Sequence, residues 1–165
     1  MNPSIWELET FYRKREIIII GSGFTGLWTA ISIKDKHPEK SVLIVERNPI
    51  PTGASTRNAG FACFGSLTEI ISDSEKMGWE KTLDLVKMRF KGLQKIQNYF
   101  ANDEIDFELC GGYEILNDES ALEKLDEVNQ HLFPITKTEN TFRIVNEKIK
   151  EFELGESEFL VENLC

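Results

Sequence analysis

The sequence predicts an α/β fold that begins with a parallel pair of strands. Residues 17–20 form an unbroken run of isoleucine that ends at Gly21, and residues 41–45 form a second apolar run. Continuous apolar runs of this length are typical of strands buried on both faces of a parallel sheet. Apolar residues between the runs repeat at helical spacing up to Pro38. A strand, a helix and a strand within about 30 residues make a βαβ unit.

Composition and charge narrow the class of protein. The chain has 165 residues, 41% of them hydrophobic, which is enough for a domain with its own core. Its net charge of −9 opposes binding to nucleic acid or to anionic membranes. No apolar run approaches the roughly 20 residues of a membrane helix, and residues 1–10 do not form a signal peptide. We therefore expect a cytoplasmic protein without nucleic-acid or membrane partners, and its three cysteines to be reduced thiols without metal.

A long irregular segment and then helices follow the βαβ unit. Residues 47–64 carry glycine, asparagine, serine, threonine and proline without a regular period, and irregular segments of this length are usually functional. Ser66 to Glu69 has the spacing of a capping box, which predicts the start of a helix. Apolar residues from Trp79 to Phe100 step by three and four, which predicts a helix of about 33 Å.

The remaining elements are short. The segments 107–109 and 113–116 flank a glycine pair at 111–112, which predicts a hairpin. An amphipathic helix is predicted over residues 121–132, where Pro134 marks its end. Beyond Pro134 the pattern indicates a strand near residues 142–145 and helical turns after residue 147.

The segment from Gly21 to Gly26 carries the strongest functional signal. It is a GxGxxG string, Gly21-Ser22-Gly23-Phe24-Thr25-Gly26, placed where the first strand ends and the helix begins. Backbone N–H groups and the helix dipole at such a junction can face a pyrophosphate. The first glycine permits the tight turn, the second lets phosphate approach the backbone, and the third lets helix and strand pack closely.

An acidic residue completes the dinucleotide pattern. Glu46 ends the second strand, 20 residues after Gly26. A carboxylate at this position can accept hydrogen bonds from the ribose hydroxyls of adenosine, and it repels the 2′-phosphate of NADP. Strand, glycine loop, helix, strand and acid occur in register, which favours a dinucleotide site over a solvated surface glutamate.

The segment that follows Glu46 distinguishes among dinucleotides. Gly53-Ala54-Ser55-Thr56-Arg57-Asn58-Ala59-Gly60-Phe61 resembles the small-residue segment that runs under the flavin in the D-amino-acid-oxidase and glycine-oxidase superfamily. The resemblance is specific from about residue 16 to residue 65 and only general from there to residue 145. It implies FAD as the cofactor and a Rossmann-like FAD-binding segment over residues 1–65. Residues 66–165 would then be part of an α+β substrate domain, incomplete at the C-terminus.

The resemblance also implies roles for individual residues. The glycine loop, with Phe24 and Thr25, would contact the pyrophosphate, and Glu46 with Arg47 would hold the adenosine. Phosphate or ribityl oxygens would meet Ala54, Ser55 and Thr56, with Arg57 and Asn58 nearby. The flavin ring would lie against Ala59, Gly60 and Phe61. Two alternatives stay open, because Arg57 could simply pair with an acid and Phe61 could simply fill the core.

The implied reaction is oxidation of a C–N bond in an amine or amino acid, with hydride transferred to the flavin. No catalytic residue or substrate clamp can be assigned in this sequence, and we expect these groups beyond Cys165. The isolated chain is therefore expected to be inert, to hold FAD weakly at best, and to self-associate through an unpaired sheet edge. Two other classes remain open, a small NAD-binding Rossmann protein and a non-catalytic nucleotide-binding module.

Overall fold

Two compact units, Met1–Phe61 and Ala62–Cys165, make up the fold. The computed structural model describes residues 2–117, 119–153 and 159–163. Both units mix helices and strands, in agreement with the predicted α/β class. The observed division lies four residues before the predicted boundary at residue 65, and the roles assigned to the two segments stay predictions.

The first unit contains a short N-terminal helix and one βαβ element. Its elements are α1 (Ile5–Thr10), β1 (Ile17–Ile20), α2 (Phe24–Lys36) and β2 (Val42–Val45). Strands β1 and β2 are parallel, in a register that places Ile17 beside Val42 and Ile20 beside Val45. The predicted strand–helix–strand order is therefore confirmed.

One prediction about this sheet is wrong. We expected β1 to be buried on both faces, yet the side chains alternate along the strand, and Ile18 and Ile20 are 60% and 90% exposed. Helix α2 packs on the opposite face, where a Cβ added to Gly26 would lie 3.4 Å from the Ile19 side chain. Among the described residues, α2 thus covers one face of the sheet and leaves an apolar strip on the other.

The described part of the second unit contains three α-helices and three strands. The helices are α3 (Leu67–Met77), α4 (Trp79–Tyr99) and α5 (Leu125–Thr136), and the strands are β3 (Gly112–Leu116), β4 (Phe142–Ile144) and β5 (Phe159–Asn163). The sheet is antiparallel with the order β3-β5-β4. Ser66 accepts from the backbone N–H of Glu69 and so begins α3 as predicted.

The predicted hairpin at the glycine pair is wrong. Strand β3 pairs with β5, about 50 residues later, and Phe107 to Leu109 are not in a strand. Gly111 has φ +70°, and a Cβ there would lie 2.9 Å from the carbonyl oxygen of Asn163. The glycine therefore permits a close approach to β5 and does not form a turn back onto residues 107–109. Strand β5 was missed in the sequence.

The end of α5 also differs from the prediction. The helix continues through Pro134 to Thr136, and Lys137, with φ 60°, is its C-cap residue. In the last turn, proline removes only one backbone bond, so the helix survives. The helix begins at Leu125 after a 3₁₀ turn over Leu122–Lys124, later than predicted.

The core of the second unit lies between its helices and one face of its sheet. Its fully buried side chains include Phe64, Leu67, Ile70, Val86, Val128, Leu132, Phe142 and Val161. Val86 and Leu93 show that the apolar stripe of α4 faces this core, as its spacing predicts. The buried side chain of Asn129 links α5 to β4. Its Nδ2 donates to the carbonyl of Phe142, and its Oδ1 accepts from the backbone N–H of Phe142, both at 2.9 Å.

Among the described residues, no helix has both the length and the apolar character required to cross a membrane.

Candidate functional site

The loop between β1 and α2 is shaped by two of its glycines. Gly21 has φ +97°, a conformation that side chains strongly disfavour. A Cβ added to Gly26 would lie 2.1 Å from the carbonyl oxygen of Gly21, so only glycine lets the first turn of α2 rest against the loop. The loop therefore turns sharply and presents the N-terminus of α2, as the GxGxxG pattern predicts.

Gly23, the second glycine of the string, faces a serine from the segment after β2. The Ser55 hydroxyl accepts a hydrogen bond from the backbone N–H of Phe24 at 3.0 Å. A Cβ added to Gly23 would lie 2.9 Å from that hydroxyl oxygen. The glycine loop and the 3₁₀ turn over Ala54–Thr56 are thus in contact, although they are about 30 residues apart in sequence.

Glu46 lies beside the same loop. Its carboxylate accepts from the backbone N–H and from the hydroxyl of Ser22, both at 2.9 Å. It also accepts from the backbone N–H groups of Arg47 and Asn48, at 3.1 and 3.4 Å. These hydrogen bonds lower the pKa of Glu46, above all the bond from the Ser22 N–H and next the bond from the Ser22 hydroxyl. The side chain is therefore a fixed anion at the edge of the glycine loop.

Polar side chains hold the segment after β2 in place. Asn58 donates to the carbonyl of Ser55 at 2.9 Å and accepts from the backbone N–H of Gly60 at 2.7 Å. Thr56 donates to the carbonyl of Gly53 at 3.1 Å. Gly60 has φ +77°, with no atom within 4 Å of a Cβ placed there. The segment thus has a defined conformation with open space at Gly60.

A cavity of about 310 Å³ lies where these parts meet. It is lined by Ile20, Gly21, Gly23, Val45, Glu46, Arg47, Pro51, Gly53, Ala54 and Ser55. Six of these residues are predicted site residues. Sequence reasoning missed Ile20, Val45, Pro51 and Gly53. A general rule could have found Ile20 and Val45, because ligands of parallel sheets bind at the carboxyl ends of the strands.

The other predicted residues lie around this cavity or away from it. Ser22 and Phe24 donate hydrogen bonds to two of its lining residues, Glu46 and Ser55. Thr25 instead lines a groove on the outer side of α2. Phe61 is 88% exposed, so the alternative that it fills a core is wrong. The described ion pairs do not include Arg57, so the acid partner considered for it is not observed there.

The residues present fit the adenosine and pyrophosphate portion of a dinucleotide. A side chain at Gly23 would fill the space at the N-terminus of α2 from which backbone N–H groups can bind phosphate. A half-buried carboxylate for ribose hydroxyls, that of Glu46, lies beside the same loop. The cavity volume is at the lower end of the roughly 300–1,000 Å³ of ligand pockets.

The described cysteines and histidines lie outside the lining of this cavity. Cys63 and Cys110 are exposed free thiols, and Cys165 lies outside the described residues. His131 stacks on Trp79 in the second unit, with ring centroids 4.0 Å apart.

Comparison with known proteins identifies a family whose model matches most of the chain. A family model described as FAD dependent oxidoreductase (DAO) matches residues 16–158. The match includes the glycine loop, Glu46 and the segment from Gly53 to Phe61, and it begins after α1. No solved structure matches the chain significantly.

Proposed function

Because the chain belongs to the DAO family of FAD-dependent oxidoreductases, with FAD as its cofactor, we propose that its first unit binds the adenosine and pyrophosphate of FAD. The observation that carries the proposal is the contact of Ser22 with Glu46 at the loop that precedes α2. It brings a carboxylate for ribose and backbone donors for phosphate to one cavity. The βαβ element would then be the first part of a Rossmann-like fold.

Residues of the segment after β2 would continue the site toward the flavin ring. Ala54, Ser55 and Thr56 would meet phosphate or ribityl oxygens, and the exposed Arg57 and Asn58 would lie nearby. Ala59, Gly60 and Phe61 would lie against the ring. Two observations support this placement: Ser55 already contacts the glycine loop, and the space at Gly60 is open to a flat group.

For the reaction, we infer oxidation of the C–N bond of an amine or amino acid. Bound FAD supplies a two-electron acceptor for hydride. The chain's own contribution would be to bind and orient the cofactor through the glycine loop and Glu46. The similarity of residues 53–61 to amine and D-amino-acid oxidases supports this substrate class. The second unit, with its antiparallel sheet, would form part of the substrate domain.

A matched pair of substrates tests the bond that is oxidised. The protein would be expressed with an N-terminal tag in the cells that naturally produce it and purified through that tag. It would then be loaded with FAD and mixed anaerobically with a panel of substrates. D-alanine, glycine and N-methylglycine offer a C–N bond, and D-lactate offers a C–O bond on the D-alanine framework. We expect the visible flavin absorbance to bleach with at least one C–N substrate and to remain with D-lactate. Bleaching by D-lactate alone would contradict the substrate class and leave the cofactor assignment intact.

A further inference from the structure

The Glu46 carboxylate has no acceptor position left. One oxygen, Oε2, accepts both bonds from Ser22, and the other, Oε1, accepts the backbone N–H groups of Arg47 and Asn48. An ionised carboxylate offers about four lone-pair positions in total. A ribose hydroxyl that donates to Glu46 must therefore displace one of these four donors.

The four donors differ in how easily they can leave. Three are backbone N–H groups, held by the glycine loop and by the chain that leaves β2. The fourth is the Ser22 hydroxyl, which can turn away by rotation about χ1 between staggered positions. The Asn48 bond is the longest, at 3.4 Å, but its release would require the backbone to move. The serine hydroxyl is the donor that a ligand displaces at least cost.

The Ser22 backbone N–H makes the hydroxyl dispensable for orientation. It bonds the same oxygen at the same 2.9 Å distance, so Oε2 stays anchored when the hydroxyl leaves. The hydroxyl thus donates a second hydrogen bond to an oxygen that the Ser22 N–H already anchors. In the free protein it completes the four hydrogen bonds of the partly exposed carboxylate.

Resting on the proposed adenosine site, we propose that the Ser22 hydroxyl stands in for a ribose hydroxyl and exchanges with it when an adenine dinucleotide binds. Ser22 is then a specificity-determining residue for ligands with a free ribose diol. Its N–H orients Glu46 in both states, and its hydroxyl competes with the ligand.

Ribose hydroxyls can be removed from the ligand and the serine hydroxyl from the protein, which gives a direct test. Binding of ADP and of 2′,3′-dideoxy-ADP to the full chain would be measured by calorimetry. In Ser22→Ala we expect ADP to bind about 3- to 10-fold more tightly, the worth of one net hydrogen bond. The affinity for dideoxy-ADP should stay unchanged, because that ligand has no hydroxyl to exchange. Ser22→Thr keeps a hydroxyl and should match the wild type for both ligands.

Several results would overturn the exchange. Weaker or unchanged ADP binding in Ser22→Ala would mean that the hydroxyl orients Glu46 or does nothing. An equal gain for dideoxy-ADP would mean that the effect has no connection with ribose. Circular dichroism of each variant would establish that the fold is retained.

Glu46→Gln separates this inference from the proposed site. If Glu46 binds the ribose, the preference for ADP over dideoxy-ADP in the wild type or in Ser22→Ala should collapse when Glu46→Gln is introduced. A preference that is absent from both the wild type and Ser22→Ala, or that persists in Glu46→Gln, would contradict the adenosine site itself. A preference that collapses without any gain in Ser22→Ala would contradict only the exchange.

Discussion

The Ser55 hydroxyl lies 3.0 Å from the backbone nitrogen of Phe24 and accepts its N–H, at the N-terminus of α2. The hydroxyl of a serine from the segment after β2 thus accepts from a backbone N–H that can also donate to a phosphate oxygen. The same hydroxyl would be 2.9 Å from a Cβ at Gly23, so the space between the two segments admits no side chain.

Gly23→Val should abolish FAD binding. The branched side chain would displace Ser55 and fill the approach to the N–H groups of α2. We expect flavin content to fall at least tenfold in protein purified from its own cells, measured by visible absorbance. Gly92→Val is a matched control at an exposed position of α4, where no atom lies within 4 Å of an added Cβ. Normal flavin content in Gly23→Val would contradict the assigned site.

Gly26→Ala should destabilise the first unit. The new methyl group would lie 2.1 Å from a backbone oxygen, that of Gly21, which cannot move without disturbing the loop. Overpacking of this kind costs about 1–3 kcal/mol. Native-state hydrogen exchange of the α2 amides would report the loss. Gly53→Ala, where the added Cβ meets nothing within 4 Å, is the control in the same unit. Unchanged protection in Gly26→Ala would show that the loop and helix are not packed as described.

Asn129→Leu should destabilise the second unit by about 2–4 kcal/mol, because two buried backbone groups of Phe142 lose their partners. Urea unfolding would measure the change. The neighbouring exposed Gln130→Leu is the control and should alter stability by less than about 0.5 kcal/mol. Equal midpoints for the two variants would mean that the amide does not hold β4.

Glu162 should make stability depend on pH. Burial raises the pKa of this carboxyl, but bonds from Tyr113, Arg143 and Lys148 outweigh burial, and the net pKa is lowered. A lowered pKa stabilises the fold above the ordinary value near 4.5, and this stabilisation is lost as pH falls through the folded value. Glu162→Gln should therefore cost about 1–3 kcal/mol at neutral pH.

The cost of Glu162→Gln should shrink as pH falls below about 4.5, where the unfolded carboxylate becomes protonated, and should vanish below the lowered pKa of the folded carboxylate. Urea unfolding of both proteins at pH 7 and in acid would measure the difference. The exposed Glu139→Gln serves as the control. A cost that stays constant across this range would show that the charge of Glu162 does not contribute to stability.

Local signals predicted the first unit well. The isoleucine run, the GxGxxG string and Glu46 each constrain the chain within a few residues, and together they predict the βαβ element. The prediction that β1 is buried on both faces was wrong. An apolar run indicates which side chains favour burial, and it does not show whether other described residues pack against them.

Long-range pairing limited the prediction of the second unit. Strand β3 pairs with β5, and the intervening residues 117–158 include α5 and β4. A glycine pair beside two apolar segments resembles a hairpin locally, and only the distant Asn163 explains why Gly111 is required. In the same way, no local pattern reveals that Ser55 contacts Phe24 or that Ser22 holds Glu46.

The central claim is that FAD binds at the glycine loop of the first unit, and mapping of the backbone amides tests it most directly. Uniformly ¹⁵N-labelled chain would be titrated with FAD and followed by amide chemical shifts, which detect weak binding. We predict saturable shifts that are largest at residues 21–26, 46–48 and 53–61, and that ADP reproduces at 21–26 and 46–48. Largest shifts within α3, α4 or α5, with the glycine loop unmoved, would contradict the claim.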